Sequence, residues 1–159
     1  MKYIELTQGY RAIVDDEDFE YLNQWKWCYS NGWAMRGVYI GTGRKDNRSY
    51  KIYMHNLIVK PSEGMIIDHI SRDGLDNRRL NLRECTWKEN TRNRSIGKAN
   101  TTGYKGVVKV KDENKWRARI TVNGKQIQLG YFKDKKEAAK TYNEAAKEHF
   151  GEFACLNKI

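Results

Sequence analysis

Three runs of sequence decide how this chain folds: Met65-Ile66-Ile67-Asp68-His69-Ile70, then Asp73-Gly74-Leu75-Asp76-Asn77-Arg78-Arg79-Leu80-Asn81-Leu82-Arg83, then Thr86-Trp87-Lys88-Glu89-Asn90-Thr91-Arg92-Asn93. Ile66-Ile67 ahead of Asp68-His69 predicts a short strand that delivers two polar side chains at its end. Asp73-Gly74 is a turn signal. Thr86 and Glu89 have the spacing of a capping box, which puts Asn90 and Asn93 on the helix that follows. The expected order is strand, loop, short strand, helix. A carboxylate beside an imidazole suits a hard divalent ion such as Mg²⁺ with a general base next to it. Arg78, Arg79, Arg83, Arg92 and Arg94 add groups that can hold phosphates bidentately. That chemistry is phosphodiester hydrolysis, although an Asp-His pair alone is more often structural.

The spacing Asp68-His69, Asn81, Asn90, with Arg78-Arg79-Leu80-Asn81-Leu82-Arg83 at its centre, resembles the HNH endonuclease motif in its phage and intron homing-endonuclease branch. Asn90 stands where the family's name-giving histidine would be; in homing-type members an asparagine there is the second protein ligand to the metal. The resemblance implies a ββα-metal module in which Asp68 and Asn90 bind one Mg²⁺ or Mn²⁺ per site. It makes His69 the general base and Asn81 the residue that braces the loop and points the imidazole. The implied products carry 3′-hydroxyl and 5′-phosphate ends. His55, at the end of a predicted strand in Lys51-Ile52-Tyr53-Met54-His55, is expected to be structural or to support the site.

Toward the C-terminus the periods change. Tyr104–Val110 and Trp116–Val122 alternate like strands, and Asn123-Gly124 signals a tight hairpin into Lys125–Leu129. Asp134 with Glu137 resembles a capping pair. Ala138, Ala139, Tyr142, Ala145, Ala146 and Phe150 then recur at helical spacing. Three antiparallel strands under one helix leave one sheet face open, expected to carry Arg117, Arg119, Thr121, Lys125 and Gln128. A strand face of this kind fits the DNA major groove. The runs Tyr104-Lys105-Gly106-Val107, Lys115-Trp116-Arg117-Ala118-Arg119-Ile120, Leu129-Gly130-Tyr131-Phe132 and Glu137-Ala138-Ala139-Lys140-Thr141-Tyr142 resemble the plant ethylene-response-factor type DNA-binding domain. So does the tail Gly151-Glu152-Phe153-Ala154. Val108 and Val110 stand roughly where that family carries arginines, so the resemblance does not carry the target sequence with it.

These segments make the fold class α+β: the nuclease module plus a three-stranded antiparallel sheet packed on one C-terminal helix. The expected organisation is a β-rich scaffold over 1–54, the nuclease core over 55–94, a polar linker over 95–102 and the DNA-binding module over 103–159. The 159 residues carry 30 Lys and Arg against 20 Asp and Glu, a net charge of +10, with 39% hydrophobic residues. The excess grows along the chain, from eight basic against seven acidic residues in 1–54 to thirteen against seven in 100–159. A polyanionic partner follows, here double-stranded DNA, with contacts expected from Arg78, Arg79, Arg92, Lys105, Lys109, Arg117, Arg119, Thr121, Lys125 and Gln128. Arg44, Lys45 and Arg48 of the scaffold are further candidates for phosphate. This much apolar material excludes a disordered chain. No apolar run is long enough for a membrane span, and no signal peptide is visible, so an intracellular, cytoplasmic protein is expected. Three scattered cysteines exclude a disulfide framework. The expected function is a site-specific nicking endonuclease of homing type acting as a monomer. The alternative is a DNA-binding regulator with an inactive nuclease module, against which the presence of both Asp68 and His69 argues. A ribosome-associated or RNA-binding role is disfavoured, since no aromatic stacking platform is evident.

Overall fold

A computed structural model describes residues 1–40, 49–97, 99–111 and 113–159. Arg44, Lys45 and Arg48 lie outside the described residues. The chain divides into two compact units, Met1–Trp87 and Lys88–Ile159.

The first unit begins with an antiparallel pair, β1 (Lys2–Glu5) and β2 (Arg11–Val14), whose inward residues Ile4, Ala12 and Val14 are buried. Helix α1 (Asp16–Asn23) follows, with Asp16, Glu17 and Asp18 in its first turn, where acidic groups favour the helix dipole. Next comes a three-stranded sheet of β3 (Cys28–Ser30), β4 (Trp33–Tyr39) and β5 (Ser49–Tyr53) in the order 3-4-5. Its first turn is Asn31-Gly32, with both residues at positive φ (51° and 90°), the conformation a two-residue hairpin loop requires. Short helix α2 (Met54–Ile58) buries Met54, His55 and Ile58. Strands β6 (Ile66–His69) and β7 (Leu82–Cys85) then pair antiparallel, joined by a loop that ends in a 3₁₀ turn at Arg79–Asn81. Ile67 of β6 and Leu82 of β7 enter the same core as Ile4, Val14, Leu22, Trp27 and Met54, which fixes the β6–β7 pair on the body of the unit.

Helix α3 (Trp87–Asn93) starts at the junction and leads into the second unit. There β8 (Val107–Lys109), β9 (Trp116–Val122) and β10 (Lys125–Phe132) form an antiparallel sheet in the order 10-9-8. The first strand is shorter than its alternation predicts, because Gly106 adopts φ +74° and turns the chain out of the ladder. The third is longer: it passes the expected end at Leu129 and reaches Phe132 through a register shift between Gln128 and Gly130. Helix α4 (Lys135–Phe150) is capped by Asp134, whose carboxylate accepts from the Lys136 amide at 3.0 Å. Its alanines at 138, 139 and 146 are fully buried against Val107, Ala118 and Ile120. The tail is tied back through Asn157. Its Oδ1 accepts from the Lys105 amide at 2.6 Å, and its own amide donates to Asn143 Oδ1 at 2.7 Å. The three cysteines are free thiols. No helix among the described residues is long and apolar enough to cross a membrane.

Candidate functional site

Asp68 and His69 close strand β6, paired in register with Arg83 and Leu82 of β7. Both are buried, at 5% and 1% exposure. Arg83 donates from Nε and Nη2 to Asp68 Oδ2, at 3.0 and 2.8 Å. His69 is walled by aromatic rings: Trp33 lies 5.1 Å away between centroids and His55 lies 5.0 Å away, both edge-on. His55 itself stacks on Tyr53 at 5.5 Å, and its buried Nδ1 has no hydrogen-bond partner among the described residues. Burial pushes His55 down to about 3, with the neighbouring His69 imidazole adding to the effect. Burial also lowers His69, against opposing contributions from Asn77 and nearby carboxylates. Both rings are therefore neutral at physiological pH, the state in which an imidazole can accept a proton.

The loop between β6 and β7 is held at both ends. Asn81 accepts from the Ser71 amide at 2.8 Å and donates from Nδ2 to the Asp76 carbonyl at 2.7 Å. Its own carbonyl accepts from Ile70 at 2.9 Å. Asn81 thus ties the loop across its base. The amide side chain that reaches the imidazole is Asn77, with Oδ1 3.4 Å from His69 Nε2. Asn77 is fully buried, and sequence spacing alone does not separate it from Asn81. Trp33 is likewise legible in the sequence only as a packing residue, although the Asn31-Gly32 turn before it is a readable signal.

Arg78 and Arg79 are engaged inside the protein. Arg78 clasps Asp76 from Nε and Nη2 at 2.7 and 2.6 Å, which holds the Asp76 carboxyl below the usual carboxylate range. Arg79 clasps Asp18 at 2.9 and 2.7 Å, and its amide donates to Asp15. These ion pairs pin the 3₁₀ turn to helix α1, a tie that sequence spacing does not reveal.

Asn90 lies on α3, and Arg92 of the same helix places its guanidinium 4.8 Å from the Phe150 ring. Lys105 turns its ammonium to the carbonyls of Arg92 and Arg94, at 2.8 and 2.6 Å, closing the end of α3. On the sheet, register sorts the expected contact residues by face. Arg117 opposes Tyr131 and Val108, Arg119 opposes Gln128, and Thr121 opposes Gln126, all on the face away from α4. Lys125 pairs with Val122 and Lys109 with Trp116, which puts both lysines on the helix side. Alternation groups Lys125 with the arginines; the two-residue turn at Asn123-Gly124 decides otherwise. Arg119 Nη1 donates to Gln126 Oε1 at 3.2 Å, and the buried Arg117 Nε has no hydrogen-bond partner among the described residues.

Among the described residues, no three His, Cys, Asp or Glu side chains are grouped to hold a metal. A protein cage is not needed for Mg²⁺, which is commonly bound by one or two carboxylates with substrate phosphates and water completing the shell. One buried carboxylate at Asp68 and an amide oxygen at Asn90 are donors of the right hardness for that arrangement.

Comparison with known proteins bears on the same segment. A family model described as HNH endonuclease matches residues 60–92, which span β6, the loop, β7 and most of α3. An uncharacterized HNH endonuclease of Acanthamoeba polyphaga mimivirus is 30% identical over 152 residues, 96% of this chain and 77% of the relative. Protein 3.8 of Escherichia phage T7 is 41% identical over 64 residues, 40% of this chain and 53% of that protein.

Proposed function

The chain belongs to the HNH endonuclease family and is a DNA endonuclease, and from that premise we propose that it is a site-specific, divalent-metal-dependent enzyme of homing type. The observation that carries this reading is the neutral, buried imidazole of His69 beside the Asp68 carboxylate at the end of β6. His69 takes a proton from the attacking water. The water oxygen bonds to phosphorus as the bond to the 3′ oxygen breaks, and that oxygen leaves with a proton from solvent. The products are a 3′-hydroxyl and a 5′-phosphate. Asp68 and Asn90 would hold one Mg²⁺ or Mn²⁺, which when bound supplies Lewis-acid stabilisation of the phosphate and the leaving oxygen. Arg83 orients Asp68, and Asn81 keeps the loop in register with the strand pair.

The second unit serves as a DNA anchor of the ethylene-response-factor type, reading duplex through Arg117, Arg119, Thr121 and Gln128. What supports this is their shared sheet face, with Gln126 and Tyr131 beside them, and the basic charge of the C-terminal third. The organisation into a scaffold over 1–54, a core over 55–94, a linker and a reader over 103–159 belongs to the same proposal. So do action as a monomer and an intracellular setting. One chain carries one Asp68-His69-Asn90 set, so one binding event cuts one strand.

Supercoiled plasmid tests the reading. Mg²⁺ or Mn²⁺ should convert it to nicked circles first order in protein, well before linear product appears. His69→Ala should lose on the order of 10²–10⁴ in rate while duplex binding persists. Wild-type protein inert on every duplex with either metal would leave a DNA-binding regulator. Linear product at once, with second-order dependence, would replace the monomer by a pair.

A further inference from the structure

The imidazole of His69 has two nitrogens, and only the one without a proton can act as a base. Asn77 bears on which one that is. Its side-chain amide lies with Nδ2 3.4 Å from the Gly74 carbonyl and Oδ1 3.4 Å from His69 Nε2. The carbonyl of Gly74 only accepts, so the amide nitrogen faces Gly74 and the amide oxygen faces the ring. An amide oxygen also only accepts, so the nitrogen opposite it must donate. In a neutral ring that puts the single proton on Nε2 and the lone pair on Nδ1.

The surroundings hold this arrangement. Asn77 is fully buried, and its backbone amide donates to the Ile13 carbonyl at 2.8 Å while the Ile13 amide donates to the Leu75 carbonyl at 2.8 Å. The loop is thereby laced to β2 on both sides of Asp76. At Gly74 the loop runs so close to the β3–β4 turn that a Cβ would lie 2.3 Å from the Gly32 carbonyl oxygen and 2.9 Å from Trp33 Cε3. The bare glycine allows the loop to close down on Trp33, the same ring that walls His69.

We propose that Asn77 is a positioning residue that holds His69 in the Nε2–H tautomer and so makes Nδ1 the base nitrogen. This rests on the reading of His69 as general base. When Nδ1 takes the proton from water, the Nε2–H of the resulting imidazolium still points at Asn77 Oδ1, so the same contact stabilises the charged ring. Asn81 has a different task, at the base of the loop.

Long-range proton–nitrogen correlation spectra of the full-length ¹⁵N-labelled protein distinguish the two tautomers directly. The three histidines are assigned with His55→Phe, His69→Ala and His149→Asn. His69 should show the Nε2–H pattern; an Nδ1–H pattern in the wild type overturns the proposal whatever the variants do. Asn77→Ala should shift His69 toward a tautomer mixture and lower kcat for plasmid nicking by about 10–100-fold, with KM for DNA unchanged. Asn77→Asp keeps an oxygen opposite Nε2 and should return kcat to within a few-fold of wild type with the Nε2–H pattern intact. A folded Asn77→Ala with wild-type kcat, or Asn77→Asp no better than Asn77→Ala, also overturns it. The spectrum does not depend on cleavage, so full activity of His69→Ala would remove the base assignment while leaving the tautomer measurement to stand separately.

Discussion

Replacing Arg83 by methionine strips Asp68 of a cation in a place with little water to compensate. The Arg83 and Asp68 side chains are 10% and 7% exposed, and two guanidinium nitrogens converge on one carboxylate oxygen. An exposed pair would contribute at most about 1 kcal/mol. Breaking a buried pair from one side instead costs about 3–5 kcal/mol, because the remaining charge is stranded. Against a total stability of roughly 5–15 kcal/mol for a domain, that loss is easily measured. Urea unfolding of the full chain in EDTA, followed by fluorescence of the buried Trp27, provides the assay. Arg83→Met should lower stability by about 3–5 kcal/mol. Adding Asp68→Asn should recover much of it, since no charge is then stranded, and the two effects should be strongly non-additive. If Asp68 is a metal ligand, millimolar Mn²⁺ should narrow the gap for Arg83→Met and leave the double variant unchanged, because only the carboxylate binds the ion. A cost below about 1 kcal/mol, additive with Asp68→Asn, would mean that the pair is not desolvated and does not hold the carboxylate in place.

Gly106→Ala should selectively destabilise the second unit: at φ +74° a Cβ would lie 2.0 Å from the Tyr142 ring and 2.6 Å from the Arg119 carbonyl oxygen. The cost is about 1–2 kcal/mol of left-handed strain and roughly 1–3 kcal/mol of overpacking; hydrogen exchange should quicken in β9 and not in β1–β2, and equal exchange in both would contradict it. Acid should weaken the first unit well above the carboxylate range. His55 is held at about 3 in the folded protein and the unfolded value is about 6.5, so the unfolded chain takes up the proton first as pH falls. Between about pH 6.5 and 4.5 stability should drop by roughly 1.4 kcal/mol per unit from His55 alone, with His69 adding to the slope; an unchanged slope in His55→Phe would count against this. Arg117→Ala with Arg119→Ala should weaken specific duplex binding by about 1–3 kcal/mol for each base no longer gripped bidentately. Lys109→Ala with Lys125→Ala, on the helix side of the sheet, should cost distinctly less in the same gel-shift titration; equal losses would mean the register does not decide which residues meet DNA.

Local chemistry is enough for the sequence to determine several elements on its own. Ile66-Ile67-Asp68-His69 becomes a strand because alternation and β-branching act within a few residues, and Asn123-Gly124 becomes a turn because its two residues tolerate positive φ. The alanine stripe of α4 and its Asp134 cap are legible for the same reason. The pairing of Asp68 with His69 is a matter of adjacency in the chain, so that part of the site can be read from the residues alone. What surrounds His69 cannot. Trp33, His55 and Asn77 reach it from three separate elements, 36, 14 and 8 residues away along the chain, and no local period records such a meeting. The same holds for the arginines. Composition counts Arg78, Arg79 and Lys105 as charge available to DNA, but whether a cation faces a phosphate or a carboxylate depends on what the fold sets opposite it. Asp18 meets Arg79 across 61 residues of chain, and the carbonyls of Arg92 and Arg94 meet Lys105. Strand register is the intermediate case: the alternation of β9 is written in its residues, but the faces taken by Lys109 and Lys125 follow from how the neighbouring strands slide against it, a long-range property of hydrogen-bond pairing.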